Sequence, residues 1–212
     1  MKDMPMFITD YGVASLTLRE LPYSKRAYIR VQSSDDVQKL LKECADFCRA
    51  VGAEEIYATG ESFDIAFPYH TDILEMNCLR SALPETDAVA VLVEDQQLSM
   101  FKDIYNEKMQ NIPNAAYFSI QDAKDMLNNQ CGYIVRQNGN LIGIGIAADD
   151  TIQMLSALEP GKGKDVLSAL SMRLQSDIVR VEVASANTKA MTLYNRLGFQ
   201  TSQALARWYK IL

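Results

Sequence analysis

Apolar positions along this chain switch between a spacing of two and a spacing of three to four, and the switches mark its elements. "YGVASLTLRE" (11–20) and "KRAYIRVQ" (25–32) read as strands, rich in β-branched and aromatic residues. "DDVQKLLKECADFCRAV" (35–51) has helical spacing, and "EEIYATG" (54–60) is a short strand. Further on, "DAVAVLVE" (87–94) predicts a strand and "DQQLSMFKDIYNEKMQN" (95–111) a helix. "SIQDAKDMLNN" (119–129) predicts another helix, with Ser119 as its N-cap. "GYIVRQNGNLIGIGIA" (132–147) is a hairpin around Asn138-Gly139, the strongest short-range hairpin signal. "TIQMLSAL" (151–158) is a strand, and "GKDVLSALSMRLQ" (163–175) a helix whose Val166, Leu167, Leu170 and Leu174 form an apolar stripe. "DIVRVEVAS" (177–185) and the closing "ALARWYKIL" (204–212) are strands.

The segment "SALPETDA" (81–88), with its Pro and polar residues, reads as a linker. It divides the chain into 1–85 and 86–212. The match of "DDVQKLL" (35–41) to "KDVLSAL" (164–170) raises the prospect of an internal duplication with an incomplete N-terminal copy.

Composition narrows the functional classes. At 212 residues the chain can hold one large domain or two small ones, and 48% hydrophobic residues suit an ordinary globular protein. No apolar run is long enough for a bilayer. "MKDMPMFITDYG" lacks the apolar core of a secretory signal, so a cytoplasmic protein is expected. A net charge of −6 argues against nucleic acid and suits a cationic substrate. Cys44 and Cys48 lie one helical turn apart, but zinc-ligand spacing is missing, so they read as small core residues and no metal is expected.

The stretch "ANTKAMTLYNRLGF" (186–199) carries the most chemistry. Asn187 suits an N-cap and Gly198 a C′ position. Ala190, Leu193, Tyr194 and Leu197 share one helix face, so Tyr194 stands on the side of the cap. The pattern Asn187, Ala190, Leu193, Tyr194, Gly198, Phe199 after a strand resembles the C-terminal motif of the GNAT family, the GCN5-related N-acetyltransferases. The element order over 86–212 resembles the whole family fold.

That resemblance implies an α/β (α+β) GNAT acyl-CoA N-acyltransferase fold with a mixed central sheet over 86–212, preceded by a smaller β-α-β half domain in 1–85. It implies acetyl-CoA as co-substrate, lying between the strands 151–157 and 178–184, with a small-molecule or peptide amine attacking directly. A monomer or homodimer is expected. Tyr194 would protonate the departing thiolate, since a phenol of pKa about 10 and a thiol of about 8.5 can share a proton. Glu182 alternates with Val181 and Val183 and lies twelve residues before Tyr194. The ribosomal-protein alanine acetyltransferases of the same family place a general base at this spacing; a solvated strand position fits the residue equally.

The family's phosphate loop, Gln/Arg-x-x-Gly-x-Gly/Ala, falls on "LEPGKGKDVLSAL" (158–170). Pro160 stands for Gln/Arg and Asp165 for the last Gly/Ala. Gly161, Lys162, Gly163, Lys164, Asp165 and Val166 are the expected phosphate contacts, with Asp165 opposing the anion at the helix start. Leu155, Ser156 and Ala157 are expected beside the coenzyme arm, the Leu155 N–H as oxyanion donor. Asn187 and Ala190 complete the coenzyme contacts. Tyr57, Glu61 and His70 fit either a wall of the amine cleft or the surface. A non-catalytic module that senses acyl-CoA or binds a partner is the alternative.

Overall fold

The computed structural model describes residues 5–212. Two compact units divide the chain, one comprising residues up to Ile73 together with Leu205–Leu212, the other Leu74–Ala204. The division falls at 73/74, where the sequence reading placed it at 85/86. The reason is a strand the reading missed. Leu74, Met76 and Cys78 sit at alternate positions of that strand and pack into the second unit's core.

The first unit holds β1 (Met6–Thr9), β2 (Gly12–Thr17), α1 (Leu21–Ser24), β3 (Arg26–Ser34), α2 (Val37–Ala50), β4 (Glu55–Thr59) and the first part of β5 (Tyr69–Leu79). β3 and β4 are parallel and joined through α2, as the expected β-α-β unit requires. They pair along five residues, Arg26–Arg30 against Glu55–Thr59. The apolar stripe of α2 covers Ala27, Ile29, Ile56 and Ala58. Cys44 and Cys48 belong to that core and are fully buried. Burial pushes the Cys44 thiol up to about 12 and that of Cys48 to about 11, so neither is a reactive thiolate at neutral pH.

After a 3₁₀ turn at Arg80–Ala82, the second unit continues with β6 (Val89–Leu92), a second 3₁₀ turn at Asp95–Gln97, α3 (Leu98–Met109) and α4 (Ile120–Asn128). Next come β7 (Gly132–Gln137), β8 (Asn140–Ala148), β9 (Thr151–Ala157) and α5 (Gly163–Ser171). β10 (Ile178–Ala184), α6 (Thr188–Arg196) and β11 (Gln200–Lys210) close the chain. The strand order within this unit is β5-β10-β9-β8-β7-β6. Ser119 caps α4 in a reciprocal box with Asp122, as its spacing predicts. Asn138 and Gly139 both take positive φ, 52° and 82°, the geometry of a two-residue hairpin turn.

Two glycines set the position of α5. A Cβ on Gly143 would lie 2.4 Å from Val166 Cγ2, and one on Gly145 would lie 2.3 Å from Leu170 Cδ1. The helix therefore rests in a notch on β8 and delivers its first turn to the end of β9. No helix among the described residues is long and apolar enough to cross a membrane.

Candidate functional site

β9 and β10 are parallel neighbours, yet they pair at only two positions, Thr151 with Arg180 and Ile152 with Val181. The join is reinforced at its base by the Arg180 N–H bonded to the Asp150 carbonyl at 2.9 Å, and by an ion pair between the same side chains. Beyond Ile152 the ladder stops. The cause lies on the other side of β9. Met154 pairs with Ile146 of β8 and Ile152 with Ala147, which leaves Gln153 as an extra residue. Such a bulge bends the strand and sharpens its twist, turning the rest of β9 away from β10. The result is a fork with Gln153–Ala157 on one prong and Glu182–Ala184 on the other. In the first unit, β3 and β4 stay paired over five positions, so no such fork opens there.

The prong of β9 has a definite polarity. Leu158 donates to the Ile142 carbonyl at 2.9 Å. Backbone groups alternate along an antiparallel strand, so Ser156 and Met154 also face β8. Leu155 and Ala157 then turn their N–H and C=O groups to the open side. Ser156, expected to contact coenzyme, has its backbone engaged with Ile144 instead.

The loop after β9 ends in the first turn of α5. Gly161 adopts φ +85°, the left-handed region, so the chain reverses tightly there. A Cβ on Gly163 would lie 3.0 Å from Leu193 Cδ2 of α6, so the loop lies against that helix. Helix α5 has no side-chain cap. Among the described residues, the N–H groups of Gly163, Lys164 and Asp165 have no acceptor, and the first intrahelical bond is Val166 N–H to Lys162 O at 3.0 Å. Three open N–H groups at the positive end of a helix suit an anion. Asp165 does not close this end. Its Oδ1 accepts from Thr86 Oγ1 at 3.3 Å. Lys162 Nζ donates to Gln137 Oε1 at 2.7 Å, while Lys164 is exposed. Val166, expected among the phosphate contacts, is fully buried and its N–H is already bonded; it anchors the helix to β8.

Helix α6 follows β10 after a short turn. Asn187 Oδ1 accepts from the Ala190 N–H at 3.2 Å, the cap its position predicts, and Gly198 ends the helix at φ +85°. Asn187→Ala is expected to cost about 1 kcal/mol of unfolding free energy, read from urea denaturation. Tyr194 is 6% exposed and packs with Val181, Val183 and Phe199, its ring 5.4 Å from that of Phe199. Leu155 and Ala157 of the other prong pack against the same cluster. Among the described residues the Tyr194 hydroxyl has no hydrogen-bond partner, and it is not one of the fully buried unpartnered polar atoms, so its oxygen keeps contact with open space. Burial raises its pKa well above the ordinary phenol value, so it holds its proton at neutral pH.

Glu182 is exposed, between the buried Val181 and Val183. It follows the last paired residue of β10, at the crotch of the fork, and faces away from the core that holds Tyr194. The two side chains therefore approach the fork from opposite faces. A surface hollow of about 300 Å³, lined by Leu92, Val93, Met126, Leu127, Gln130 and Gly132, lies elsewhere and includes none of these residues. The His70 ring packs tilted against that of Tyr57, centroids 4.4 Å apart, in the first unit, where burial lowers its pKa.

The chain matches no protein-family model and no curated protein sequence. Solved structures do match. A GCN5-related N-acetyltransferase from Kribbella flavida aligns with 96% of this chain and 58% of its own at a TM-score of 0.62 and 9% identity. A functionally unknown conserved protein from Staphylococcus epidermidis aligns with 99% of this chain and 94% of its own, at 0.61 and 12%. A tandem GNAT protein from the clavulanic acid biosynthesis pathway aligns with 94% and 78%, at 0.51 and 11%. At such identities the likeness is one of fold. The architecture is that of the GNAT acyl-CoA N-acyltransferases, an α+β fold with a mixed sheet.

Proposed function

We propose that this chain is an N-acetyltransferase that moves an acetyl group from acetyl-CoA to a primary amine by direct attack. The observation that carries the reading is the fork, a parallel pair closed at two residues and then opened by the bulge at Gln153. The GNAT fold in the matching structures supports it. The residues present fit the co-substrate: open N–H groups at Gly163, Lys164 and Asp165 suit its pyrophosphate, and the fork suits its extended arm.

The chain's own groups then divide the work. The Leu155 N–H, turned to the open side, donates to the carbonyl oxygen as negative charge develops on it. Glu182 takes the proton that a protonated amine must lose before its lone pair can attack. A C–N bond forms and the C–S bond breaks. Tyr194 gives its proton to the sulfur, the acylated nitrogen sheds its remaining extra proton to solvent and the phenolate regains one from solvent, so the products are the N-acetylated amine and the free thiol. Burial that raises the phenol's pKa raises that of a thiolate in the same surroundings, so the two stay close enough for transfer.

Two measurements on the full chain test this. Acetyl-CoA is expected to raise the melting temperature, and thiol release is expected to depend on added amine. Release of no thiol across a panel of amines, with the melting shift retained, would favour the alternative of an acyl-CoA-sensing module. The departures at Pro160 and Asp165 from the family loop favour that alternative. No melting shift would remove both readings.

A further inference from the structure

Asp165 stands where a carboxylate ordinarily turns back on its own helix. It is the third residue of α5, after Gly163 and Lys164. The chain holds a direct comparison. Asp122 is the third residue of α4, and its Oδ2 accepts from the Ser119 N–H at 2.9 Å and from Ser119 Oγ at 2.8 Å, across the start of that helix. Asp165 has open N–H groups and the positive end of a helix dipole beside it, yet α5 is left uncapped. Among the described residues, the hydrogen bond of the Asp165 side chain goes elsewhere.

What draws it off is Thr86, 79 residues earlier and just before β6. The Thr86 hydroxyl accepts from the Ala88 N–H at 3.1 Å, which leaves its own proton for Asp165 Oδ1, 3.3 Å away. The next residue directs a second charge. Asp87 accepts from Gln137 Nε2, and Gln137 Oε1 accepts from Lys162 Nζ at 2.7 Å, so Lys162 points to the end of β7 rather than to Asp165. Thr86 and Asp87 thus set two charged side chains at the start of α5, one directly and one through Gln137.

Resting on the transferase reading, we propose that Thr86 is a positioning residue for the co-substrate. Its hydroxyl holds the Asp165 carboxylate off the start of α5 and keeps the N–H groups of Gly163, Lys164 and Asp165 for the pyrophosphate. Without that hydroxyl the carboxylate falls back as Asp122 does. It then covers the ground an anion needs and sets a like charge beside it. Asp165 is a built-in competitor, and the bond from Thr86 decides whether it competes. A carboxylate can therefore stand where the family loop has Gly or Ala, because a residue from another element restrains it.

The test is a calorimetric titration of the full chain with coenzyme A. Thr86→Val keeps the shape of the side chain and removes the hydroxyl. Its affinity is expected to fall about 5- to 10-fold, the strength of an N-terminal side-chain cap that the coenzyme must displace. Thr86→Ser keeps the hydroxyl and should bind as wild type does. Thr86→Val combined with Asp165→Ala retains every backbone N–H but has no carboxylate to fall back, and should recover wild-type affinity or better. Both forms with Val leave the Ala88 N–H without its acceptor, so both should show a lower urea midpoint. A Thr86 with only a structural role would weaken coenzyme binding equally in the two. Unchanged affinity in Thr86→Val, or a double variant that binds no better than Thr86→Val, would overturn the proposal and leave the transferase reading standing. Failure of wild type to bind coenzyme A at all would overturn the transferase reading, and this role of Thr86 with it.

Discussion

Tyr194→Phe is expected to lower kcat for acetyl transfer by about 10²–10⁴-fold, the usual loss when a positioned proton donor is removed. The change deletes one oxygen and leaves the ring against Phe199. Its cost in stability should be slight. The hydroxyl has no hydrogen-bond partner among the described residues, so its removal leaves no group orphaned. A core tyrosine with only a packing role would show the opposite result, with equal or higher stability and unchanged turnover. Steady-state thiol release and a denaturant titration on the same preparation separate the two. A purified variant with wild-type kcat would remove Tyr194 from the chemistry while leaving the fork and the open helix terminus as they are.

Local rules made much of the second unit legible. The Asn138-Gly139 hairpin, the Ser119 and Asn187 caps and the Gly198 ending each depend on residues within a few positions of one another, and each stands where its spacing predicts. β5 was missed because its polar Asp72, Glu75 and Asn77 interrupt the apolar Leu74, Met76 and Cys78. The alternation was present, but it fell across a segment that lacks β-branched runs. The missed strand moved the domain boundary with it. The short match of "DDVQKLL" to "KDVLSAL" also has a limit. It lays Asp36 on Asp165, but Asp36 caps α2 by accepting from the Lys39 N–H, whereas Asp165 is the third residue of α5 and bonds Thr86.

The fork itself could not be read from the chain. It depends on which β9 residue is left over when β8 and β9 align, and register is a property of two strands together. The open side of Leu155 follows from the same register.

Gly143→Ala should couple stability to co-substrate binding. The added Cβ would lie 2.4 Å from Val166 Cγ2 and 2.8 Å from the backbone oxygen of Ser156. The second contact is the harder one, because a carbonyl in a paired strand cannot rotate aside. Overpacking of this kind costs about 1–3 kcal/mol, visible as a lower denaturation midpoint. The strain has two outlets, and both reach the site. Val166 lies in the first turn of α5, so pushing it off β8 displaces the open N–H groups of Gly163, Lys164 and Asp165. Ser156 neighbours Leu155, so pushing it shifts the prong that carries the outward N–H. Acetyl-CoA affinity should therefore fall by about 10-fold or more, a loss of roughly 1.4 kcal/mol measured calorimetrically. Gly139→Ala is the matched control. Its Cβ would meet nothing within 4 Å, and its strain arises only from φ +82° in a distant turn. It should lose stability while keeping acetyl-CoA affinity. Equal affinity losses in the two variants would mean that the notch on β8 does not position the helix terminus for the co-substrate.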